Sequence, residues 1–102
     1  MHDCFTITEI LNCQDLQFCE RGEGAKFIRE GHADVGGQIA VNASGGLGAF
    51  GEAVPAQAIA QVCELTWQLR GQAGERQVEN AKAGITANQG LFGHGSSVIL
   101  TR

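Results

Sequence analysis

The chain has 102 residues, a length that fits one domain (1–102) with one modest core. Apolar residues make up 43% and charged residues 18%, which excludes a disordered polyelectrolyte and fits a soluble globular protein. Seven basic against eleven acidic residues give a net charge of -4 without a Lys/Arg cluster to follow a phosphate backbone, so nucleic-acid binding is disfavoured, and no apolar run approaches the ~20 residues that span a bilayer.

The N-terminal residues Met1-His2-Asp3-Cys4 lack the basic and apolar regions of a secretory signal, so cytoplasm is the expected compartment. Thr6 and Glu9 fit a capping box, and Ile7, Ile10 and Leu11 then share one face of a helix running from Ile7 to Gln14. Residues 15–19 read as a further helical turn. Gly22-Glu23-Gly24 breaks the pattern. A short helix over Ala25–Glu30 follows, with Phe27 and Ile28 inward and Gly31 as its stop. Gly36-Gly37 makes a turn, and Ile39–Asn42 is a strand candidate ending in Ser44-Gly45-Gly46.

The clearest element starts at Pro55 and leaves at Gly71. Gln57, Gln61, Glu64 and Gln68 recur at helical steps and form one narrow polar stripe in an otherwise mostly apolar helix. An ordinary surface helix has a narrower apolar face, so this one is expected to be covered on more than one side. Ala81–Ala87 and Ser97–Leu100 read as antiparallel strands joined by the glycine-rich loop 88–95. The cysteines at 4, 13, 19 and 63 form no C-x-x-C pair. His2, Cys4, Cys13 and Cys19 match no zinc spacing, so reduced thiols and no metal are expected.

His2-Asp3-Cys4-Phe5, Val41-Asn42-Ala43-Ser44-Gly45-Gly46, Gln68-Leu69-Arg70-Gly71 and Arg76-Gln77-Val78 occur in one order. Together they resemble the C-terminal domain of thiolases, in the branch related to sterol-carrier-protein and lipid-transfer thiolases. That branch carries H-D-C-F where other thiolases carry N-E-A-F, and the second segment is similar to the family's V-N-x-x-G-G. The resemblance runs from His2 to Thr101. It implies an α/β fold that is part of a five-layered architecture: a short mixed sheet of about three strands packed with helices, one of them central and buried. It also implies acyl-CoA chemistry, in which C–C bonds are made or broken next to a thioester, with a nucleophilic Cys in a separate N-terminal half. Such an enolate needs oxyanion donors and a positioned base. CoA thioester is the substrate, and no cofactor is implied.

Two family positions differ. The G-H-P segment is Gly51-Glu52-Ala53-Val54-Pro55 here, so Glu52 replaces a histidine. An ionised carboxylate only accepts hydrogen bonds, which leaves Glu52 as a base, as a donor if burial keeps it protonated, or as a charge compensating the helix dipole. The late C-x-G falls at Gln89-Gly90-Leu91, and no cysteine follows Cys63. By the resemblance, His2, Glu52 and Gln89 are the catalytic candidates. Asn42, Ser44, Gly45, Gly46, Asn88 and His94 are the substrate-binding candidates.

Each has a plainer reading. His2 is a flexible terminal residue, Asn88 and Gln89 are strand-end hydrogen bonders, and His94 is an exposed loop histidine. The Ser44–Gly48 loop either admits a pantetheine arm or is a tight connection. Cys4 is a small packed residue, and Trp67 belongs to the core or an interface. The family pattern places a strand and helix before H-D-C-F that this sequence lacks. An unpaired sheet edge and an uncovered apolar face follow. The chain is therefore expected either to need a partner (the nucleophilic thiolase half, another copy of itself, or an OB-fold protein of the kind used by retro-aldolase relatives) or to be a fragment of a longer protein. Inactivity alone is expected. The alternative is a non-catalytic acyl-CoA- or lipid-binding or assembly module.

Overall fold

A computed structural model describes residues 1–102. Four helices come in chain order: α1 (Thr6–Asp15), α2 (Gly24–Arg29), α3 (Gly46–Phe50) and α4 (Ala56–Arg70). Strands β1 (Ala83–Ile85), β2 (Asn88–Gln89), β3 (Gly95–Ser96) and β4 (Ile99–Thr101) close the chain. The α/β class stands. The strands pair as β1 with β4 and β2 with β3, both antiparallel, in place of one mixed sheet of about three strands. No helix is long and apolar enough to cross a membrane.

The strands form one long hairpin with a break in the middle. Thr86 is almost fully buried at the break. Its N–H donates to the Val98 carbonyl at 2.9 Å, and its hydroxyl accepts the Val98 N–H at 2.9 Å. The hydroxyl does the work of a backbone carbonyl, so the ladder is interrupted without leaving a donor orphaned. The expected antiparallel pair is present. Residues 88–89 and 95, read as loop, extend it together with Ser96 as β2 and β3.

The strand expected over Ile39–Asn42 does not form. The Ile39 and Val41 N–H groups donate to the carbonyls of His32 and Ala33 at 3.0 and 2.9 Å, which uses them on a neighbouring turn. Asn42 sits at φ 47, outside the extended region.

α1 begins without the capping box. Thr6 is inside the helix, Phe5 is the cap residue, and no side chain bonds across the terminus. α1 takes in Asp15, but residues 16–19 do not prolong it. Gln17 takes a left-handed φ of 60 and the Phe18 N–H returns to the Cys13 carbonyl. α2 lies against α1 so closely that a Cβ on Gly24 would stand 2.5 Å from the Ile10 carbonyl oxygen. The core sits here: Cys13, Phe27 and Ala33, with Phe18, Cys19, Ile28 and Val41 against them. Burial, helped by the Glu9 charge, pushes the Cys13 thiol up to about 11.

α4 begins after Pro55 and ends at Gly71 with φ 71, as the sequence indicates. Its orientation is the surprise. Gln57, Gln68 and Leu69 are its buried residues, while Ile59 is 65% and Trp67 45% exposed, and Cys63 is exposed. The polar stripe faces the protein, and part of the apolar surface faces out. The helix is not covered on more than one side within this chain.

The stripe packs inward, with Gln57 and Gln68 buried and Gln61 and Glu64 partly so, and each member makes at least one bond. Gln57 meets His2, and the Gln61 amide donates to Asn88 Oδ1 at 2.8 Å. Arg76 donates to Glu64 through both Nε and Nη2, the latter at 2.8 Å. Gln68 donates to the Arg76 carbonyl and accepts from the Val78 N–H. Close approach to the hairpin is made possible by Gly84, where a Cβ would stand 2.6 Å from Leu65 Cδ2. Arg76 also lies 5.8 Å from the Trp67 ring centroid.

α3 was not visible as a helix because its residues are Gly-rich. It is fixed by Asp3, whose Oδ1 accepts the Leu47 N–H at 2.9 Å. Gly46, at φ 63, makes room for that carboxylate, since a Cβ there would stand 2.0 Å from Asp3 Oδ2.

Two predictions follow from these contacts. Gly46→Ala destabilises the fold by at least ~1–2 kcal/mol from the left-handed backbone alone, and urea denaturation measures it. For Glu64, burial pushes the carboxyl up, but hydrogen bonds from Arg76 and Gln68 and the Arg76 charge outweigh it and hold it below its usual value. A depressed folded-state value gives stability that is present above the unfolded value and lost as pH falls through the folded one. The melting-temperature gap between wild type and Glu64→Gln therefore narrows as pH drops below about 4.3.

Candidate functional site

His2 is not a loose terminus. It is 4% exposed. Its N–H donates to the Ala87 carbonyl at 2.7 Å, which ties it to the hairpin. Its carbonyl accepts from Asn12 Nδ2 at 2.9 Å, which ties it to α1. Backbone bonds on both sides fix where the imidazole stands.

The ring is fixed by α4 and the segment before it. Gln57 Nε2 lies 3.1 Å from His2 Nδ1, and Glu52 Oε1 lies 3.3 Å from His2 Nε2. The Ala53 N–H meets Gln57 Oε1 at 3.1 Å. A backbone N–H only donates, so that atom of Gln57 is the oxygen and the other is the NH₂. The NH₂ donates to Nδ1, which must then carry a lone pair. On a neutral ring Nε2 then carries the proton, on the side of Glu52. The tautomer follows from a chain of hydrogen bonds anchored in the backbone.

Glu52 stands in the segment leading to α4, outside its first turn. Its side chain is 44% exposed. Glu52 is therefore not a buried carboxyl. Its carboxylate engages the His2 ring in preference to the helix terminus.

Cys4 completes a group. Ligand atoms of His2, Cys4 and Glu52 lie within 4.8 Å of one another. Local spacing hid this triad because Glu52 arrives from far along the chain. Metal ligation by an imidazole needs a free lone pair. Here the Nδ1 lone pair is taken by Gln57 and Nε2 is protonated, so the triad as bonded does not suit an ion. Cys4 Sγ lies 3.9 Å from Thr8 Oγ1.

The remaining candidates divide. Asn88 joins the His2 side of the molecule. It follows Ala87, which holds His2, and it bonds to Gln61, one turn along α4 from Gln57. Gln89 is exposed and pairs with Gly95 at the strand end. His94 is exposed at the hairpin tip, where its carbonyl accepts the Gly90 N–H at 2.6 Å. Neither is brought to His2 by any hydrogen bond. Both occupy the plainer places allowed for them.

Asn42, Ser44 and Gly46 line a different space, and Gly45 belongs to the same turn. It is an open cleft of about 1010 Å³, walled by residues 36–47, the α4 face around Leu65 and the β1 region. His2 and Glu52 are not in its wall. Two buried polar atoms without partners, Asn42 Nδ2 and Gln61 Oε1, belong to residues that border it. Gln57 was the functional neighbour that the sequence reading did not single out. The signal was present: it is a glutamine in the polar stripe, five residues after Glu52.

Comparison with known proteins gives a consistent answer. A family described as thiolase C-terminal domain-like matches residues 1–102. The chain is 49% identical over 98 residues to an acetyl-CoA acetyltransferase of Methanothermobacter thermautotrophicus, covering 96% of this chain and 26% of that protein. It is 42% identical over 101 residues to human sterol carrier protein 2, covering 99% of this chain and 18% of that protein. It is 40% identical over 79 residues to a benzoylsuccinyl-CoA thiolase subunit of Thauera aromatica, covering 78% of this chain and 20% of that subunit. The chain thus spans about a quarter or less of the length of these relatives. The match over its whole length shows that this chain belongs to the thiolase C-terminal domain-like family.

Proposed function

We propose that this chain supplies the thioester-oxygen side of a thiolase-like site that makes or breaks C–C bonds in acyl-CoA. The observation that carries this reading is the His2 ring: buried, fixed by two elements, and presenting an Nε2–H donor. A donor held in advance of the reaction is what a developing oxyanion requires. The names of the similar proteins, an acetyl-CoA acetyltransferase and a benzoylsuccinyl-CoA thiolase subunit, agree with this substrate class.

Glu52 has to move for this to happen. Its carboxylate now stands 3.3 Å from His2 Nε2, in the place a thioester oxygen would take. An anion beside a developing oxyanion is unfavourable, whereas a half-exposed side chain is free to swing aside and act as a base on the adjacent carbon. No cysteine follows Cys63, so an acid/base thiol in the late C-x-G position is not supplied. The nucleophile comes from another part of a longer protein or from a partner. That partner is the thiolase N-terminal half, with a second copy or an OB-fold protein as further possibilities. The exposed Ile59, Cys63 and Trp67 on α4 support such an association. CoA enters as part of the substrate, and no separate cofactor is invoked.

A second reading is a non-catalytic acyl-CoA- or lipid-binding or assembly module. It is favoured by the cleft, whose wall is mainly apolar and lies apart from His2, and by similarity to sterol carrier protein 2.

The two readings part in one experiment. Mixed with acetoacetyl-CoA and CoA, the chain alone is expected to leave the thioester intact by absorbance. Calorimetry is expected to detect acyl-CoA binding that weakens by up to about tenfold in His2→Ala, the worth of one hydrogen bond of ~1.5 kcal/mol. Binding unchanged by His2→Ala moves the ligand to the cleft. No heat at all leaves only the assembly module.

A further inference from the structure

We infer that Gln57 is a positioning residue whose amide sets the His2 tautomer, and so decides which ring nitrogen can donate to a substrate oxygen. The oxyanion consequence rests on the function proposed above. The tautomer assignment does not.

The geometry is specific. Gln57 is 4% exposed and lies in the first turn of α4. Its amide spans two fixed groups, the Ala53 backbone N–H at 3.1 Å and His2 Nδ1 at 3.1 Å. Rotating the amide by half a turn would set an NH₂ against the Ala53 N–H and leave two donors facing each other in a part-buried place. An unmade buried bond of this kind costs more than a made one contributes. The amide is therefore held one way round by the backbone, and it passes that choice to the imidazole.

Electrostatics alone would favour a different outcome. Glu52 beside Nε2 is an acceptor, and an acceptor at Nδ1 as well would draw protons to both nitrogens and make an imidazolium. The Gln57 NH₂ blocks this by occupying the Nδ1 lone pair. A neutral ring then has its one proton on Nε2, on the side of Glu52. Glutamate at 57 reverses the logic: it still accepts the Ala53 N–H but has no hydrogen to offer Nδ1.

The test uses the whole chain labelled with ¹⁵N at histidine. The His2 signals are picked out from those of His32 and His94 by their loss in His2→Asn. In the wild type above neutral pH, Nε2 is expected to show the protonated shift and Nδ1 the unprotonated one. In Gln57→Glu, Nδ1 is expected to take up a proton, giving the opposite tautomer or the doubly protonated ring. Gln57→Met, which does not donate and accepts only weakly, is expected to give a mixture. A wild-type ring protonated at Nδ1 overturns the inference, and this reading needs no variant to fold. So does a Gln57→Glu ring that keeps the wild-type pattern in a folded chain.

Acyl-CoA binding is measured on the same samples. If the tautomer changes as expected and binding does not, the positioning role stands and the oxyanion reading of His2 falls. The two failures are therefore distinct.

Discussion

The longest helix of this protein is attached through its polar side. Gln57, Gln61, Glu64 and Gln68 lie along one face of α4 and reach, in turn, His2, Asn88, Arg76 and the Val78 backbone. Apolar contact alone would let a helix slide or rotate with little penalty. Directional bonds do not, because a shift of one residue strands several buried donors and acceptors at once. The seam fixes the rotation and height of α4 against the hairpin and the N-terminal segment. Everything in the candidate site depends on that registration.

The sequence made some of this plain and hid the rest. The ends of α4 were legible because Pro55 and Gly71 act through their own backbone preferences, whatever surrounds them. The antiparallel hairpin was legible for a similar reason, since strands joined by a short glycine-rich loop have few other options. The direction in which α4 faces was not. Its pattern contains a narrow polar stripe in either orientation, and only distant partners such as Arg76 and His2 decide that the stripe packs inward. The Ile39–Asn42 strand failed because strand character depends on a partner, and the N–H groups of Ile39 and Val41 found one in a nearby turn. α3 was hidden because its stability comes from the Asp3 carboxylate 44 positions away in sequence.

The site shows the same division. His2 was legible from a four-residue motif. Its anchoring was not, since Ala87, Asn12 and Gln57 come from three separate elements. Glu52 stood out as a departure from the family pattern, but its place against the imidazole is a fact of folding. Gln89 was drawn in by alignment to a motif and His94 by its place in the glycine-rich loop, and the hairpin carries both to exposed positions near its tip. Motif order locates chemistry along a chain, whereas convergence in space depends on contacts that no local pattern records.

The Asp3–Leu47 bond ties the glycine turn that borders the cleft to the segment that carries the imidazole. Met1, the residue before His2, lines the cleft, and Asp3, the residue after it, holds the turn. Three consecutive residues therefore serve three places: the cleft wall, the ring and the turn. The first residues of the chain act as a splint, because the same short stretch bonds to Leu47, to Asn12 and to Ala87.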